Sequence, residues 1–367
     1  QALDTNTTAD NNTAVGGCAL FANTTGTNNV AVGKSALETN TTGLNNTGLG
    51  ACALCANTTG AQNTVIGSTA GDAITTGCRI VAVGFNALGA NTEGDYNTAV
   101  GRSALGNNTT ADNNTAVGYA ANQNNTTGAG NVAIGFESLF INTEGGVNTA
   151  VGLCALRANT TGGQNVALGR GAMIGGTTGC YNTALGACSL QAVNTGDNNV
   201  AIGRKALFDN TSGNNTVAVG NDNLTNQTTG ANNTAVGANA AFSLTTGSQN
   251  VMLGHNAGDN VTTGDNNVLL GESAGNDAMI NVTTADYQIV LGNNASTHAT
   301  IKIDWTVTSD ERDKMNFEEV PHGLDFVNQL KPVSFKFKKS REDATPHGPQ
   351  KYGFKAQDIL TLEGDNP

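Results

Sequence analysis

One short pattern of apolar and polar residues repeats along the chain every 17 positions. Sixteen glycines recur at this interval from Gly16 to Gly271, without an insertion or deletion between them. The residue before each glycine is Val, Ile or Leu, and the residue three before it is Thr or Val, as in Thr13-Ala14-Val15-Gly16. Alternate apolar and β-branched positions are typical of a strand, and a constant period of this length indicates a solenoid of stacked coils.

The same pattern leads to an expectation about which strand face is covered by a partner. We expect the Thr or Val and the Val, Ile or Leu to fill the interior, so that the residue between them points outward. That residue is Ala in most coils and is never polar. A small apolar residue on an outer face predicts close packing against a second copy of the chain. The predicted trimer-facing residues are Ala14, Ala31, Ala82, Ala99 and Ala116.

The second half of each coil carries Ala three positions after the glycine and usually Leu four positions after it, as in Ala36-Leu37. We interpret this pair as a second short strand, followed by an Asn-Thr-Thr-Gly turn. At about 4.8 Å per coil, sixteen coils predict a rod of roughly 75 Å with ladders of identical Asn residues. Many Asn-x-Thr sequons occur in the repeats, and they would be glycan acceptors in a secretory host. Ladder and turn geometry already account for Asn and Thr at these positions. The sequons at the turn include Asn23, Asn40, Asn57, Asn108, Asn125 and Asn159.

Composition and charge narrow the functional classes. The 367 residues include 48 Gly, only 13% are charged, and the net charge is -12. Because Lys and Arg are scarce in the repeats, we expect no nucleic-acid partner. No segment approaches the roughly 18 apolar residues of a membrane helix, so we expect no membrane insertion. Scattered histidines and turn-located aspartates predict neither a metal site nor a cofactor.

The seven cysteines favour free thiols. Those that share a phase of the repeat lie at least two coils apart, about 9.6 Å or more, which exceeds the roughly 7 Å limit between Cα atoms for a disulfide. An odd number of unpaired cysteines indicates folding in a reducing compartment.

The chemistry of the chain changes after the last regular repeat. Ten of the 17 Lys and Arg residues lie between Lys302 and Lys355. We divide the chain into a solenoid shaft at 1–275, a β neck at 276–308 and a C-terminal module at 309–367. An amphipathic period over 322–330 predicts a helix, and Ser334 to Lys338 predict a strand.

Three ordered motifs in the C-terminal module carry a family resemblance. They are Ser-Asp-x-Arg-x-Lys at Ser309 to Lys314, Gly-Leu-Asp-Phe-Val-Asn-x-Leu-x-Pro-Val at Gly323 to Val333, and Tyr-Gly-Phe-Lys-Ala-Gln-Asp at Tyr352 to Asp358. Together they resemble the intramolecular chaperone domain of phage endosialidase tailspikes. The resemblance implies a small α+β domain that trimerises, assists the folding of an elongated β-rich fibre and then releases itself.

The resemblance also implies roles for individual residues. Ser309 would attack the carbonyl carbon of Thr308, and Lys314 would be the base that activates it. A lysine serves as a base only if burial or nearby positive charge lowers its pKa. Asp310 and Arg312 would support the pair, Arg312 either by lowering the pKa of Lys314 or by binding a carboxylate. This chemistry is a single-turnover autoproteolysis, and we expect this copy of the module to be incomplete.

The repeats resemble the heads of trimeric autotransporter adhesins, which implies a left-handed parallel β-roll packed as a homotrimer. We therefore predict an all-β parallel β-solenoid of about 16 coils with a small C-terminal chaperone domain. The leading functional hypothesis is a virus or phage fibre, assembled in a reducing host cytoplasm and displayed on the virion surface, where a host glycan or protein receptor binds it. The alternatives are a bacterial cell-surface trimeric adhesin and a glycan-degrading tailspike, which the scarcity of aromatic residues disfavours.

Overall fold

The computed structural model describes residues 1–192, 195–277, 280–297, 324–338, 345–355 and 358. Two compact units divide the chain: Gln1–Asn276 with Ile280–Leu291, and Asp277–Met279 with Gly292–Pro367. The first unit is a parallel β-solenoid of about 16 turns, which confirms the predicted fold class. Its handedness and a trimeric state stay predictions, as does the division at 275 and 308.

Each coil of the solenoid contributes one strand of three residues. The strands are β1 (Thr13–Val15), β2 (Val30–Val32), β3 (Thr47–Leu49), β4 (Thr64–Ile66), β5 (Val81–Val83), β6 (Thr98–Val100), β7 (Thr115–Val117), β8 (Val132–Ile134), β9 (Thr149–Val151), β10 (Val166–Leu168), β11 (Thr183–Leu185), β12 (Val200–Ile202), β13 (Val217–Val219), β14 (Thr234–Val236), β15 (Val251–Leu253), β16 (Val268–Leu270) and β17 (Ile289–Leu291). The second unit contains α1 (Leu324–Gln329), β18 (Val333–Lys338) and β19 (Pro346–Gly353).

The register of the long sheet follows the sequence period. β1 pairs with β2 so that Thr13 lies opposite Val30, a shift of one repeat that recurs at every following pair up to β16. β17 then pairs with β16 with Val268 opposite Ile289, which makes this last coil four residues longer. The sheet therefore continues beyond the last regular repeat glycine.

Each repeat glycine from Gly16 to Gly254 meets two constraints that exclude a side chain. Gly16 has a φ of 130°, a conformation that other residues rarely adopt. A Cβ atom at this position would lie 2.5 Å from the carbonyl oxygen of Gly33 in the next coil. The strict recurrence of glycine therefore reflects both the local backbone and the close approach of neighbouring coils.

The predicted second strand is wrong, because the segment after the glycine is a turn. Leu20, Leu37 and Leu105 have φ values of 49°, 50° and 50°, in the left-handed region. This conformation costs roughly 1–2 kcal/mol per residue. Burial of each leucine side chain and a hydrogen bond between coils offset that cost, since the Leu20 amide donates to the Ala36 carbonyl at 3.0 Å.

The predicted orientation of the strands is also wrong. Ala31, Ala82, Ala99 and Ala116 are completely buried inside the coil, and Ala14 packs against the same core. By contrast, Val15 is 58% exposed. The residues named as trimer-facing therefore line the interior. They are small because the leucine of the turn occupies the space opposite them.

In three coils, the sequence shows that the middle strand residue and the turn residue share one interior volume. Val65, Met252 and Leu269 replace the usual Ala, and in each case Gly replaces the Leu four positions after the repeat glycine. A Cβ at Gly71 would lie 3.6 Å from Cγ1 of Val65, and one at Gly275 would lie 3.0 Å from Cδ1 of Leu269. Because protein interiors are close-packed, a larger strand residue requires a smaller turn residue.

Two ladders of buried asparagines complete the interior, as predicted. In the first, Asn40 Nδ2 donates to Asn23 Oδ1 at 2.8 Å, and Asn57 Nδ2 donates to Asn40 Oδ1 at 2.7 Å. In the second, the backbone N–H of Asn46 donates to Asn29 Oδ1 at 2.9 Å. The six sequon asparagines named above belong to the first ladder and are buried, so the folded chain does not offer these six to a glycan.

Replacing Gly71 by Leu should destabilise its coil by about 1–3 kcal/mol through overpacking. A Cβ there would lie 2.6 Å from Cδ1 of Ile74, which stands where other coils have a ladder Asn. Adding Val65→Ala and Ile74→Asn should recover most of the loss, since the new amide also meets the unpartnered Asn57 Oδ1. Chemical unfolding of the single, double and triple variants measures this coupling, and additive losses would contradict it.

Candidate functional site

The solenoid exposes an apolar face that we call the outer strand face. It consists of the two residues of each strand that flank the buried middle one, and in the sixteen regular coils all of them are Thr, Val, Ile or Leu. Its exposed apolar members are Val15, Val30, Leu49, Ile66, Val81, Ile134, Val166, Leu168, Leu185, Val236 and Leu253, with Ile289 and Leu291 in β17. None of these positions carries a charge.

The outer strand face is large for a protein surface. A strand of three residues is about 10 Å long, and sixteen coils extend for roughly 75 Å, so the face covers roughly 750 Å². A typical monomer exposes no contiguous apolar patch above about 300–600 Å². Large patches of this kind mark contact surfaces, and interface centres are depleted of charged residues. The face is therefore the strongest candidate assembly surface of the solenoid.

The second unit contains a helix followed by an antiparallel hairpin. α1 lies within the predicted helical segment, and β18 contains the predicted strand, so both expectations are confirmed. In the hairpin, Val333 lies opposite Gly353 and Phe335 lies opposite Lys351, with an irregularity between Phe335 and Phe337. The strand β19 therefore holds the beginning of the third motif, at Tyr352, beside the end of the second.

Large apolar side chains of the second unit are exposed as well. Val327 on α1, Tyr352 on β19 and Phe354 after it are all at least half exposed. Exposed apolar residues concentrated within two of the three motifs indicate that this unit, too, offers a contact surface.

The predicted processing residues are not among the described residues. Thr308, Ser309, Asp310, Arg312 and Lys314 all lie in the segment 298–323, outside the described ranges. Their roles as nucleophile, cleavage site, base and supporting groups stay predictions.

The cysteines are free and half-buried. Burial, reinforced by the nearby Cys52 sulfur and the Asp72 carboxylate, raises the pKa of the Cys55 thiol to about 11. Burial also raises the pKa of Cys154, with a further contribution from Glu137. The thiolate is the reactive form, so these surroundings make both thiols poor nucleophiles.

Alkylation of Cys55 by iodoacetamide at pH 9 should be more than about tenfold slower in the folded chain than in urea. The raised pKa of about 11 leaves little thiolate at this pH, and the rate should rise as the pH approaches that value. Peptide mass mapping after a short labelling pulse measures each cysteine separately. Equal rates in the folded and unfolded chain would contradict the assignment.

The described part of the chain contains neither a membrane-spanning helix nor a cluster of metal-binding side chains. There, no helix is long and apolar enough to cross a bilayer. No group of three or more His, Cys, Asp or Glu side chains within the described ranges has the geometry to hold a metal ion.

A comparison with protein families finds a match at the C-terminal end of the chain. A family model described as "Chaperone of endosialidase" matches residues 309–362. No curated protein is significantly similar to the chain. The match begins at Ser309 and spans all three motifs, which confirms the resemblance of this segment to the endosialidase chaperone.

The fold and the match together define a class of protein. A long β-solenoid followed by a chaperone-of-endosialidase segment fits a fibre-like or tailspike-like protein with a C-terminal folding aid. The sequence motifs located this C-terminal segment.

The residues of the outer strand face, by contrast, were predicted to lie in the interior. One signal in the sequence reveals which strand position points inward: residue 65 is larger than the usual Ala in the same coil in which residue 71 is smaller than the usual Leu.

Proposed function

We propose that this chain is a structural fibre of a virus or phage particle that assembles as a homotrimer. The continuous apolar outer strand face supports the proposal, because burying it requires a partner that presents an equally long apolar surface. A second and third copy in the same register provide that surface. The match at 309–362 adds support, since an endosialidase-type chaperone suggests homotrimer assembly.

In this proposal the trimer contact involves Val, Ile, Leu and Thr of the outer strand face. Each copy would present about 750 Å² to its two neighbours together, so the trimer would bury roughly 2,250 Å² in all. The exposed apolar residues of the C-terminal unit would bring three chains together before the repeats stack. Parallel pairing across many coils is slow, so early association would shorten the exposure of the unpaired strands. The fibre would assemble in the reducing host cytoplasm. Displayed on the virion surface, it would bind a host receptor.

The C-terminal module would then be released at the Thr308–Ser309 bond. In the proposed step, neutral Lys314 accepts the hydroxyl proton of Ser309 while the serine oxygen bonds to the Thr308 carbonyl carbon. The peptide C–N bond breaks, and the leaving amine of Ser309 takes up a proton. Water hydrolyses the resulting ester, which yields a carboxylate on Thr308 and restores the Ser309 hydroxyl.

Ser309→Ala and Lys314→Ala should each abolish cleavage, because one removes the nucleophile and the other removes the base. Intact-mass measurement of wild type should show the fragments 1–308 and 309–367, and both variants should remain at the full 37.1 kDa. Ser334→Ala and Lys338→Ala are matched controls, since they change exposed residues of the same module and should cleave normally. An uncleaved wild-type chain would refute this part of the proposal.

A further inference from the structure

The residue directly after the repeat glycine forms an exposed row on six successive coils. We call it the arginine–aromatic row; its members are Phe85, Arg102, Tyr119, Phe136, Leu153 and Arg170. Cζ of Arg102 lies 5.8 Å from the ring centroid of Phe85 and 5.7 Å from that of Tyr119. The rings of Tyr119 and Phe136 stack at 5.2 Å with an interplanar angle of 11°. The first four side chains of the row therefore form one continuous strip, from Phe85 to Phe136.

The solenoid fold does not require these side chains. Gly17, Ala51, Ala187 and Ala238 occupy the same phase in other coils, and the backbone is unchanged there. The row nevertheless leaves large rings in solvent, with Phe85 53% and Tyr119 44% exposed. Apolar surface that folding does not bury, grouped along one line, is the mark of a binding surface.

The cations of the shaft are concentrated in the same phase. Of the seven Lys and Arg residues between positions 1 and 275, four follow a repeat glycine: Lys34, Arg102, Arg170 and Arg204. Arg157 and Arg204 pair with Glu137 and Asp222. Arg102 and Arg170, by contrast, are exposed and donate to no side chain in the described residues. The row thus offers two arginines with free donors on a chain of net charge -12.

The guanidinium groups and aromatic rings of the row favour one class of ligand. Guanidinium groups bind carboxylate or sulfate with two parallel hydrogen bonds, and aromatic rings cover the apolar faces of sugar rings. The six coils extend for roughly 24 Å, which suits a linear polymer lying along the row. Strands β5 to β10 are already paired on both sides, so a peptide finds no free edge at which to add a strand.

We infer that the arginine–aromatic row binds a linear anionic polysaccharide, with Arg102 on an acidic group and the flanking rings against the sugars. This inference rests on the proposed role as an attachment fibre and names the chemical class of its receptor. Because Phe85 and Tyr119 hold the Arg102 guanidinium between them, its donors are oriented before the ligand arrives.

Fluorescence anisotropy with labelled polygalacturonate fragments and the full chain tests the inference. We expect binding to weaken about tenfold for Arg102→Gln and for the Tyr119→Ala, Phe136→Ala double variant. Arg79→Gln and Tyr181→Ala are matched controls: Arg79 also lies over a ring, that of Tyr96, and Tyr181 is equally exposed, but neither belongs to the row. Both controls should bind as wild type.

Competitors and a mass measurement complete the test. Dextran sulfate should compete and neutral dextran should not, which identifies the acidic group as the determinant; polyglutamate should not compete. Absent binding, equal competition by polyglutamate, or equal losses in the controls would overturn the inference. Mass photometry of the same samples separates a failure of this inference from a failure of the proposed function. If the protein is a trimer but does not bind the polysaccharide, the ligand assignment is refuted and the proposed trimeric fibre is not.

Discussion

Alanine at Gly118 is expected to destabilise the solenoid by about 3 kcal/mol or more. Gly118 has a φ of 133°, and a Cβ there would lie 2.6 Å from the carbonyl oxygen of Gly135. The backbone has little freedom to move away, because the Gly118 amide donates to the Val100 carbonyl at 2.8 Å and β7 is paired on both sides. The strain therefore falls on several stacked coils at once.

Hydrogen exchange of the coils around Gly118 measures this loss locally, which suits a repeat protein whose coils need not unfold together. Gly17→Ala is the matched control, since an added Cβ there meets no atom within 4 Å. It should change protection little. Similar losses of protection in the two variants would contradict the explanation by close approach of coils.

Aspartate at both Leu168 and Leu185 is expected to convert the proposed trimer into monomers that keep the solenoid fold. Both side chains belong to the outer strand face and are exposed in the single chain, so a charge costs the monomer little. In the proposed trimer, each of three copies would bury two unpaired carboxylates, at several kcal/mol each. Mass photometry measures the oligomer, and circular dichroism checks the fold.

Two control variants separate assembly from folding. Tyr181→Asp replaces an exposed apolar residue outside the outer strand face and should remain trimeric. Ala184→Asp lies between the two strand-face positions of β11, is fully buried and should disrupt its coil. A monomeric wild type, or a double variant that stays trimeric, would refute the assignment of the trimer contact to this face.

The 17-residue period contained enough information to predict the stacked coils, the parallel register, the Asn ladders and the place where the regular repeat ends. Each follows from local chemistry, since a constant period forces identical residues into neighbouring coils. The helix over Leu324–Gln329 and the strand Val333–Lys338 were likewise visible as periodicities of the sequence. The C-terminal motifs were recognisable because three of them occur in order.

The direction of each side chain was not available from the same pattern. A period of two separates the faces of a strand, but here both faces are apolar, so the pattern does not tell inside from outside. Only the folded coil shows that Leu54 or Leu105 fills the interior from the turn and leaves space for Ala alone on the strand. The left-handed φ of these leucines, which replaces the expected second strand, depends on the same packing.

The sequence by itself thus determined that this protein stacks identical coils and carries a chaperone-like segment that begins at Ser309. The tertiary structure decided that alanine points inward, that valine and leucine form the outer strand face, and that Arg102 lies between two rings. The physical reason is that register follows from a local repeat, whereas orientation depends on the narrow volume that strand and turn share inside each coil.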